Sequence, residues 1–145
     1  MFQAAEKENM HFAGVSAYRS HQRQIAVFNN YVAKDGEEKA KTYSAMPGTS
    51  EHETGLAIDV TTHDGACAAQ DCFGDTKEAA WLAEHAHEYG FIIRYPEGKE
   101  NITGYKYEPW HIRYVGVDAA TEIFETKSTL EEYYNAVPVE AVSDK

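Results

Sequence analysis

The feature that most restricts the fold of this 145-residue chain is a carboxylate within an otherwise apolar strand pattern. Residues 56–60 place Leu56, Ala57, Ile58 and Val60 around Asp59, which is the composition of a largely buried strand. An ionised carboxylate is costly to bury without a partner, because it loses its hydration in the protein interior. The fold must therefore supply Asp59 with either a metal ion or a hydrogen-bond donor.

His52 precedes Asp59 by seven residues and is the nearest partner in the sequence. Gly55 lies between them and permits a sharp backbone turn, so that a loop ligand and a strand ligand can converge. Imidazole and carboxylate are both good ligands for first-row metals. The alternative is a hydrogen bond between His52 and Asp59 without a metal, and this segment alone does not decide between the two.

A second segment places Glu108 and His111 close to large aromatic side chains. Residues three apart in a regular strand face opposite sides of a sheet. Pro109 cannot donate to a ladder, so the strand predicted for residues 110–115 is irregular where it begins. That irregularity can bring Glu108 and His111 to one site. The alternative is a half-exposed edge strand on which both side chains contact solvent.

Together the two segments supply two histidines, an aspartate and an additional glutamate. Three protein ligands and one open position are the pattern of a catalytic zinc site. Zinc acidifies water, and a glutamate that does not bind the metal is suited to moving protons. The residues therefore suggest a hydrolase in which His52, Asp59 and His111 hold zinc and Glu108 carries protons.

Helical and strand patterns are interleaved along the chain. The predicted strands cover residues 14–18, 56–60, 91–95 and 110–115, and the predicted helices cover residues 21–33, 77–89 and 129–134. Too few strands repeat in βαβ order for a doubly wound sheet, so we expect an α+β domain with a small, mainly antiparallel sheet flanked by helices. A single domain is expected over residues 1–138, with a flexible tail over residues 139–145.

The charge of the chain excludes some partners. Thirteen basic and 24 acidic residues give a net charge of −11, which disfavours nucleic acid and anionic membrane surfaces. No apolar run approaches the ~20 residues that span a bilayer, and no signal-peptide pattern is visible. We therefore expect no stable membrane insertion, and a monomer is the expected state.

The remaining cysteine and histidine residues carry less information. Cys67 and Cys72 are either two free thiols or a short-loop disulfide, and the disulfide would fit an extracellular location. His85 and His87 stand two apart in a predicted helix and cannot share one face, so both are expected on the surface. Glu53 is expected in a solvated loop.

Three ordered motifs resemble the zinc D-Ala-D-Ala carboxypeptidases of the VanY, VanX and VanXY type. The family pattern S-x-H-x-x-G-x-A-x-D is matched at every fixed position from Ser50 to Asp59. The pattern E-P-W-H is matched by residues 108–111, and an upstream S-G-Y-R-S element is matched by residues 16–20 with Ala17 in place of glycine. The resemblance extends over about residues 14–134, and the form of the second motif is closer to VanY and VanXY than to VanX.

The resemblance implies a zinc peptidase fold like that of the hedgehog domain and one Zn²⁺ per chain. His52, Asp59 and His111 would bind the zinc and Glu108 would be the catalytic base. Arg19 would polarise the scissile carbonyl or stabilise the oxyanion, which suits a permanent cation; without the motif, Arg19 would be an ordinary surface arginine. The residues that would help to hold the substrate are Ser50, Gln24, Tyr18 and Trp110.

The substrate that the resemblance implies is the peptidoglycan stem peptide, cut at its terminal D-Ala-D-Ala bond. Alternatives within the family are L,D-carboxypeptidase, D,D-dipeptidase and cell-wall endopeptidase activity. A non-catalytic zinc-binding signalling module is an alternative of another class. The family also implies the bacterial cell envelope or the exterior as location, although some relatives act on cytoplasmic precursors.

Overall fold

A four-stranded antiparallel sheet organises the protein, as a computed structural model of residues 1–136 shows. The predicted tail at residues 139–145 and the end of the predicted domain at residue 138 lie outside the described residues. The strands are β1 (Phe12–Ser16), β2 (Ala57–Thr62), β3 (Phe91–Ile93) and β4 (His111–Tyr114). Their order in the sheet is β1-β2-β4-β3, and each pairing is antiparallel. The structure thus confirms the predicted α+β fold.

Helices precede, connect and follow the strands. The α-helices are α1 (Phe2–Lys7), α2 (His21–Asp35), α3 (Glu37–Ala40), α4 (Lys77–His85), α5 (Glu100–Thr103), α6 (Val117–Thr126) and α7 (Leu130–Tyr133). Within residues 1–136, three 3₁₀ helices cover Glu51–Thr54, Asp71–Asp75 and Ala86–Tyr89. Among residues 1–136, no helix has the length and apolarity that crossing a bilayer requires.

The main hydrophobic core lies between the sheet and α4. Val60 of β2 and Ile112 of β4 pack in one buried cluster with Phe73, Trp81 and Leu82. A smaller cluster lies under α6 and includes Ile92 of β3. The two central strands, β2 and β4, are therefore anchored in the core by the apolar residues that adjoin Asp59 and His111.

Strand β1 starts and ends two residues earlier than the predicted strand. The chain leaves the β-ladder after Ser16 because backbone groups of the following residues form hydrogen bonds with His52 instead. Arg19 N–H donates to the His52 carbonyl oxygen at 2.9 Å, and the Ala17 carbonyl oxygen lies 2.8 Å from His52 Nδ1. A register shift between Gly14 and Ser16 adds a bulge to the strand.

The helical predictions are confirmed in part. Thr76 caps α4 by accepting a hydrogen bond from Ala79 N–H, but the last turn of the predicted helix is a separate 3₁₀ helix that ends at Gly90. Thr129 caps α7 with a complete capping box. Helix α6 was not predicted: its N-cap, Gly116, offers no capping side chain, and the apolar spacing from Val117 to Phe124 was the signal that was missed.

Candidate metal centre

The three predicted metal ligands meet at one end of the two central strands. Asp59 of β2 and His111 of β4 are directly paired across the antiparallel ladder, so their side chains lie on the same face of the sheet. His52 reaches them from the 3₁₀ helix that follows Ser50. All three residues are buried, and each offers a ligand atom within 4.8 Å of the others. The structure thus brings together the ligand set that the sequence predicted.

His52 presents one specific nitrogen to the centre. Its Nδ1 lies 2.8 Å from the carbonyl oxygen of Ala17, and a carbonyl oxygen can only accept, so Nδ1 carries the proton. The other nitrogen, Nε2, lies 3.3 Å from Asp59 Oδ2. In the neutral ring Nε2 therefore has a free lone pair that points toward the carboxylate, as metal binding requires.

His111 presents the other ring nitrogen, Nδ1, to the centre. Its Nδ1 lies 2.9 Å from Asp59 Oδ1, and its Nε2 lies 3.3 Å from a carboxylate oxygen of Glu51. Burial lowers the pKa of His111, but the hydrogen bonds to Asp59 and Glu51 outweigh burial and raise it to about 9. Two imidazoles and one carboxylate form a donor set that suits zinc, and each imidazole has an oxygen partner on the nitrogen that faces away from Asp59.

A turn brings Glu108 to the same site. His111 N–H donates to the Glu108 carbonyl oxygen at 3.1 Å across Pro109 and Trp110, so the irregular start of the strand places both side chains together. The Glu108 carboxylate lies 4.0 Å from His111 Nδ1. Burial is the main cause that raises the pKa of Glu108, which reaches about 7. A carboxylate with this pKa can both take and release a proton near neutral pH.

Arg19 and Gln24 lie together in the cleft beside the metal ligands. The guanidinium group of Arg19 donates to Gln24 Oε1 at 2.7 Å and to Ser16 Oγ at 2.8 Å. Gln24 is almost fully buried and donates to the Ala45 carbonyl oxygen at 2.7 Å. Arg19 is therefore held in the cleft by two side-chain acceptors, which the alternative of an ordinary surface arginine does not predict.

The cleft has a volume of about 390 Å³. The predicted site residues that line it are Arg19, Gln24, Ser50, His52, Asp59, Glu108, Trp110 and His111. Tyr18 does not line the cleft: it is 69% exposed and lies beside Gly55. The role in substrate binding that was predicted for Tyr18 stays a prediction.

Cleft residues that the sequence analysis missed include Glu51 and Tyr95. Glu51 occupies the variable position between Ser50 and His52, and its acidic side chain next to a ligand was the only signal that the sequence offered. Ala69 also lines the cleft, in a loop that the Cys67–Cys72 disulfide closes. The structure therefore favours the disulfide over two free thiols.

Two expectations for other polar residues need correction. Glu53 is not solvated: it accepts a hydrogen bond from Gly48 N–H at 2.9 Å, and its carboxylate lies 2.7 Å from His21 Nδ1, so it holds the preceding turn. His87 is half-buried because its ring stacks on Phe124. Among the described residues, neither His85 nor His87 belongs to a metal-binding group.

Comparisons with known proteins agree with this geometry. Residues 1–117 match the family model described as VanY, D-alanyl-D-alanine carboxypeptidase. The chain is 50% identical over 137 residues to the putative carboxypeptidase YodJ of Bacillus subtilis. The matched region covers 94% of this chain and 50% of YodJ. It is 36% identical over 144 residues to a D-alanyl-D-alanine carboxypeptidase of Enterococcus faecalis, in a region that covers 93% of this chain and 52% of that protein. The chain thus spans about half the length of these curated relatives.

Solved structures extend the agreement to the fold. The LdcB LD-carboxypeptidase matches with a TM-score of 0.88 and 50% identity, over 94% of this chain and 64% of that one. A vancomycin resistance D,D-pentapeptidase VanY mutant in complex with Zn(II) matches with a TM-score of 0.79 and 36% identity, over 92% and 77%. The family model covers most of the chain, including all three candidate metal ligands. The chain therefore belongs to the VanY family of D-alanyl-D-alanine carboxypeptidases.

Proposed function

We propose that this chain is a zinc-dependent D,D-carboxypeptidase that removes the terminal D-alanine from peptidoglycan stem peptides or their precursors. The observation that supports the proposal most strongly is the convergence of His52, Asp59 and His111 within 4.8 Å of one another, with Glu108 in the same cleft. A VanY structure in complex with D-alanine-D-alanine is 36% identical to this chain. The substrate class is thus an inference from the family and from the chemistry of the cleft.

The proposed mechanism divides the work among three metal ligands, the base Glu108, the cation Arg19 and the metal. His52, Asp59 and His111 would hold zinc, which would act as a Lewis acid that acidifies water and polarises a carbonyl group. Glu108 takes the proton of the attacking water and passes it to the amine of the departing D-alanine. No net proton is gained or lost by Glu108 in the cycle.

Arg19 stabilises the negative charge that develops on the carbonyl oxygen of the penultimate residue. Its guanidinium group is already held by Ser16 and Gln24, so little reorganisation is needed when the charge appears. The hydrogen bond from Arg19 N–H to the His52 carbonyl oxygen ties this cation to the metal centre. Ser50 and Trp110 complete the cleft wall and position the peptide.

A second candidate, L,D-carboxypeptidase activity, is favoured by one observation. The LdcB LD-carboxypeptidase shares 50% identity with this chain, which is more than the 36% shared with the VanY structure that holds zinc. The two activities differ in the configuration of the residue before the scissile bond. Both would use the same metal ligands, base and cation.

The proposed location is outside the cytoplasmic membrane, at the cell envelope. Peptidoglycan stem peptides are found there, and the Cys67–Cys72 disulfide is the kind of bond that persists in an oxidising compartment. A cytoplasmic enzyme acting on precursors is the alternative. The expected monomeric state stays a prediction.

Digestion of defined stem peptides with the zinc-loaded protein tests the activity. Pentapeptide ending in D-Ala-D-Ala, tetrapeptide ending in one D-Ala, free D-Ala-D-Ala and a cross-linked muropeptide are incubated separately, and the products are weighed by mass spectrometry. Loss of one alanine from the pentapeptide is the expected result. Loss of alanine from the tetrapeptide alone would establish the L,D alternative, and cleavage only of the dipeptide or of the cross-link would establish the dipeptidase or endopeptidase. No hydrolysis of any substrate by zinc-loaded protein would support the non-catalytic module.

A further inference from the structure

Glu51 lines the cleft and lies on the far side of the His111 imidazole ring from Asp59. One of its oxygens, Oε2, lies 3.3 Å from His111 Nε2. The other, Oε1, accepts a hydrogen bond from Arg94 Nε at 2.6 Å and lies 2.8 Å from Arg113 Nη1. The side chain of Glu51 is only 12% exposed. Both carboxylate oxygens are thus committed to nitrogen donors.

Arg94 is itself fixed by a second carboxylate. Its Nη1 and Nη2 atoms donate to the two oxygens of Glu131 at 3.0 and 2.6 Å, in the bidentate geometry that arginine and carboxylate favour. Its guanidinium carbon lies 4.9 Å from the centre of the Tyr95 ring. Because every part of the guanidinium group has a partner, the position of the Glu51 carboxylate is set by rigid neighbours.

The contact between Glu51 and His111 determines which imidazole nitrogen is free. Each ring nitrogen of His111 faces a carboxylate, so a metal ion that replaces the proton on Nδ1, on the side of Asp59, leaves the remaining proton on Nε2, where Glu51 accepts it. The lone pair is then on Nδ1, the nitrogen that lies 2.9 Å from Asp59 Oδ1. If Glu51 were neutral or absent, the ring could carry the proton on either nitrogen and could rotate away from Asp59.

Glu51 is a poor candidate for either of the other roles in the centre. As a base it would need to exchange a proton, but two arginines hold it in the ionised form. As a metal ligand it would have to leave those arginines and pass His111. Glu108 forms no ion pair with an arginine among the described residues and lies 4.0 Å from His111 Nδ1, so it fits the role of base better.

We propose that Glu51, anchored by Arg94 and Arg113, is a positioning residue that fixes the proton of His111 on Nε2 and aims Nδ1 at the metal. The inference rests on the metal centre of the proposed function, but it does not depend on which peptide is cut. The assignment of His52, Asp59 and His111 as ligands does not depend on the role of Glu51. A purely structural ion cluster between the 3₁₀ helix, the sheet and α7 is the competing explanation.

Zinc affinity of the purified full chain tests the proposal without any substrate. Competition with a chromophoric chelator at fixed pH is measured for the wild type, for Glu51→Gln and for Glu131→Gln. Each substitution removes one carboxylate from Arg94 and keeps the side-chain shape, but only Glu51 contacts His111. We expect Glu51→Gln to weaken zinc binding about 10–100-fold and Glu131→Gln to weaken it less than about threefold. The thermal stability of both variants is recorded alongside.

The outcomes separate the proposals. Equal zinc affinity of the wild type and Glu51→Gln, or equal losses in the two variants, would overturn the positioning role and leave the proposed function standing. A wild type that does not bind zinc would instead contradict the proposed function. The absorption spectrum of the cobalt-substituted protein should also change in Glu51→Gln and stay unchanged in Glu131→Gln, which a merely structural cluster does not predict.

A measurement on the wild type covers the case in which Glu51→Gln fails to fold. Nitrogen-15 NMR of histidine-labelled, zinc-loaded protein identifies the protonated nitrogen of each ring. His111 should show a proton on Nε2 and metal on Nδ1, whereas His52 should show the reverse assignment. Metal on Nε2 of His111 would contradict the proposal directly, since Glu51 then could not accept a proton from that atom.

Discussion

Asp59 illustrates how one buried charge organises this protein. Burial raises the pKa of Asp59, but the neighbouring His111 and His52 rings outweigh burial and hold it at about 2. The carboxylate therefore remains ionised inside the fold, flanked by two rings whose orientation is fixed from behind by Ala17 and Glu51. The strand pattern around Asp59 was sufficient to predict that a partner must exist.

The residues of the site were predictable to the extent that their chemistry appears in short segments. The spacing of His52 and Asp59 and the Glu108–His111 segment suggested four of them, and motif resemblance added Arg19 and Gln24. Glu51 was missed because its partners, Arg94 and Arg113, are distant in the sequence and become its neighbours only through the sheet. No local pattern reports a contact of that kind.

Replacement of Glu108 by glutamine tests its role as the base. The amide keeps the shape of the side chain but cannot accept a proton from water, so the rate of peptide hydrolysis should fall about 10²–10⁴-fold. Zinc content, measured by elemental analysis, should stay at one per chain because Glu108 is not a ligand. The control is Glu97→Gln, the same change at an exposed position. Unchanged hydrolysis in Glu108→Gln would show that another group moves the proton.

Individual elements were predicted with different success. Three elements were predicted from local signals: the strand that carries Asp59, and the helices capped by Thr76 and Thr129. A buried strand and a capping side chain are both visible in a short stretch of sequence. Helix α6 has no capping side chain at its N-cap, Gly116, and the helical spacing of Val117, Ala120, Ile123 and Phe124 was its only local signal. The end of β1 depended on hydrogen bonds with His52, which lies in a different segment.

Gly90 is the element boundary that tolerates least change. Its φ is +81°, and an added Cβ would lie 2.7 Å from the Tyr114 ring and 3.1 Å from Gly116 C. Gly98 has a φ of +75° but has no atom within 4 Å of the added carbon. Gly90→Ala should therefore lower the free energy of unfolding by about 2–4 kcal/mol, whereas Gly98→Ala should lower it by about 1–2 kcal/mol.

Urea denaturation of both glycine variants in one buffer measures the difference. The backbone strain is common to the two substitutions, so the excess loss in Gly90→Ala isolates the collision with β4 and the segment after it. Equal losses would mean that the chain relaxes around the new methyl group and that the close packing of Gly90 is not important for stability.

At the scale of the whole molecule, the order of the strands could not be read from the sequence. β2 pairs with β4 rather than with β3, which follows it in the chain. This crossover is what places Asp59 opposite His111. The sequence predicted that the two residues converge, but not that they do so as direct neighbours in a ladder.

The main core contains none of the candidate metal ligands, although Trp110 belongs both to this core and to the cleft wall, and this composition predicts how metal removal acts. The buried cluster around Phe73, Leu82 and Ile112 contains no candidate ligand, so the metal-free protein should remain folded. Zinc at one hundred times its dissociation constant should add about 2.7 kcal/mol and raise the melting temperature by roughly 5–15 °C.

Differential scanning calorimetry in chelator and at several zinc concentrations measures this shift. The control is His52→Ala, which removes a ligand and should melt at a temperature that no longer depends on zinc. Unfolding of the wild type as soon as zinc is removed would show that the metal is part of the folding core. A wild-type melting temperature that does not depend on zinc concentration would show that no zinc site is formed.

The central claim is that side chains from a 3₁₀ helix and two paired strands hold one zinc ion. Anomalous diffraction from crystals of the zinc-loaded protein, recorded on both sides of the zinc absorption edge, tests it most directly. The account predicts one anomalous peak per chain, bonded to His52 Nε2, an Asp59 oxygen and His111 Nδ1, with the remaining position open to the cleft beside Glu108. A peak elsewhere, or a zinc ion enclosed by four protein ligands, would contradict it.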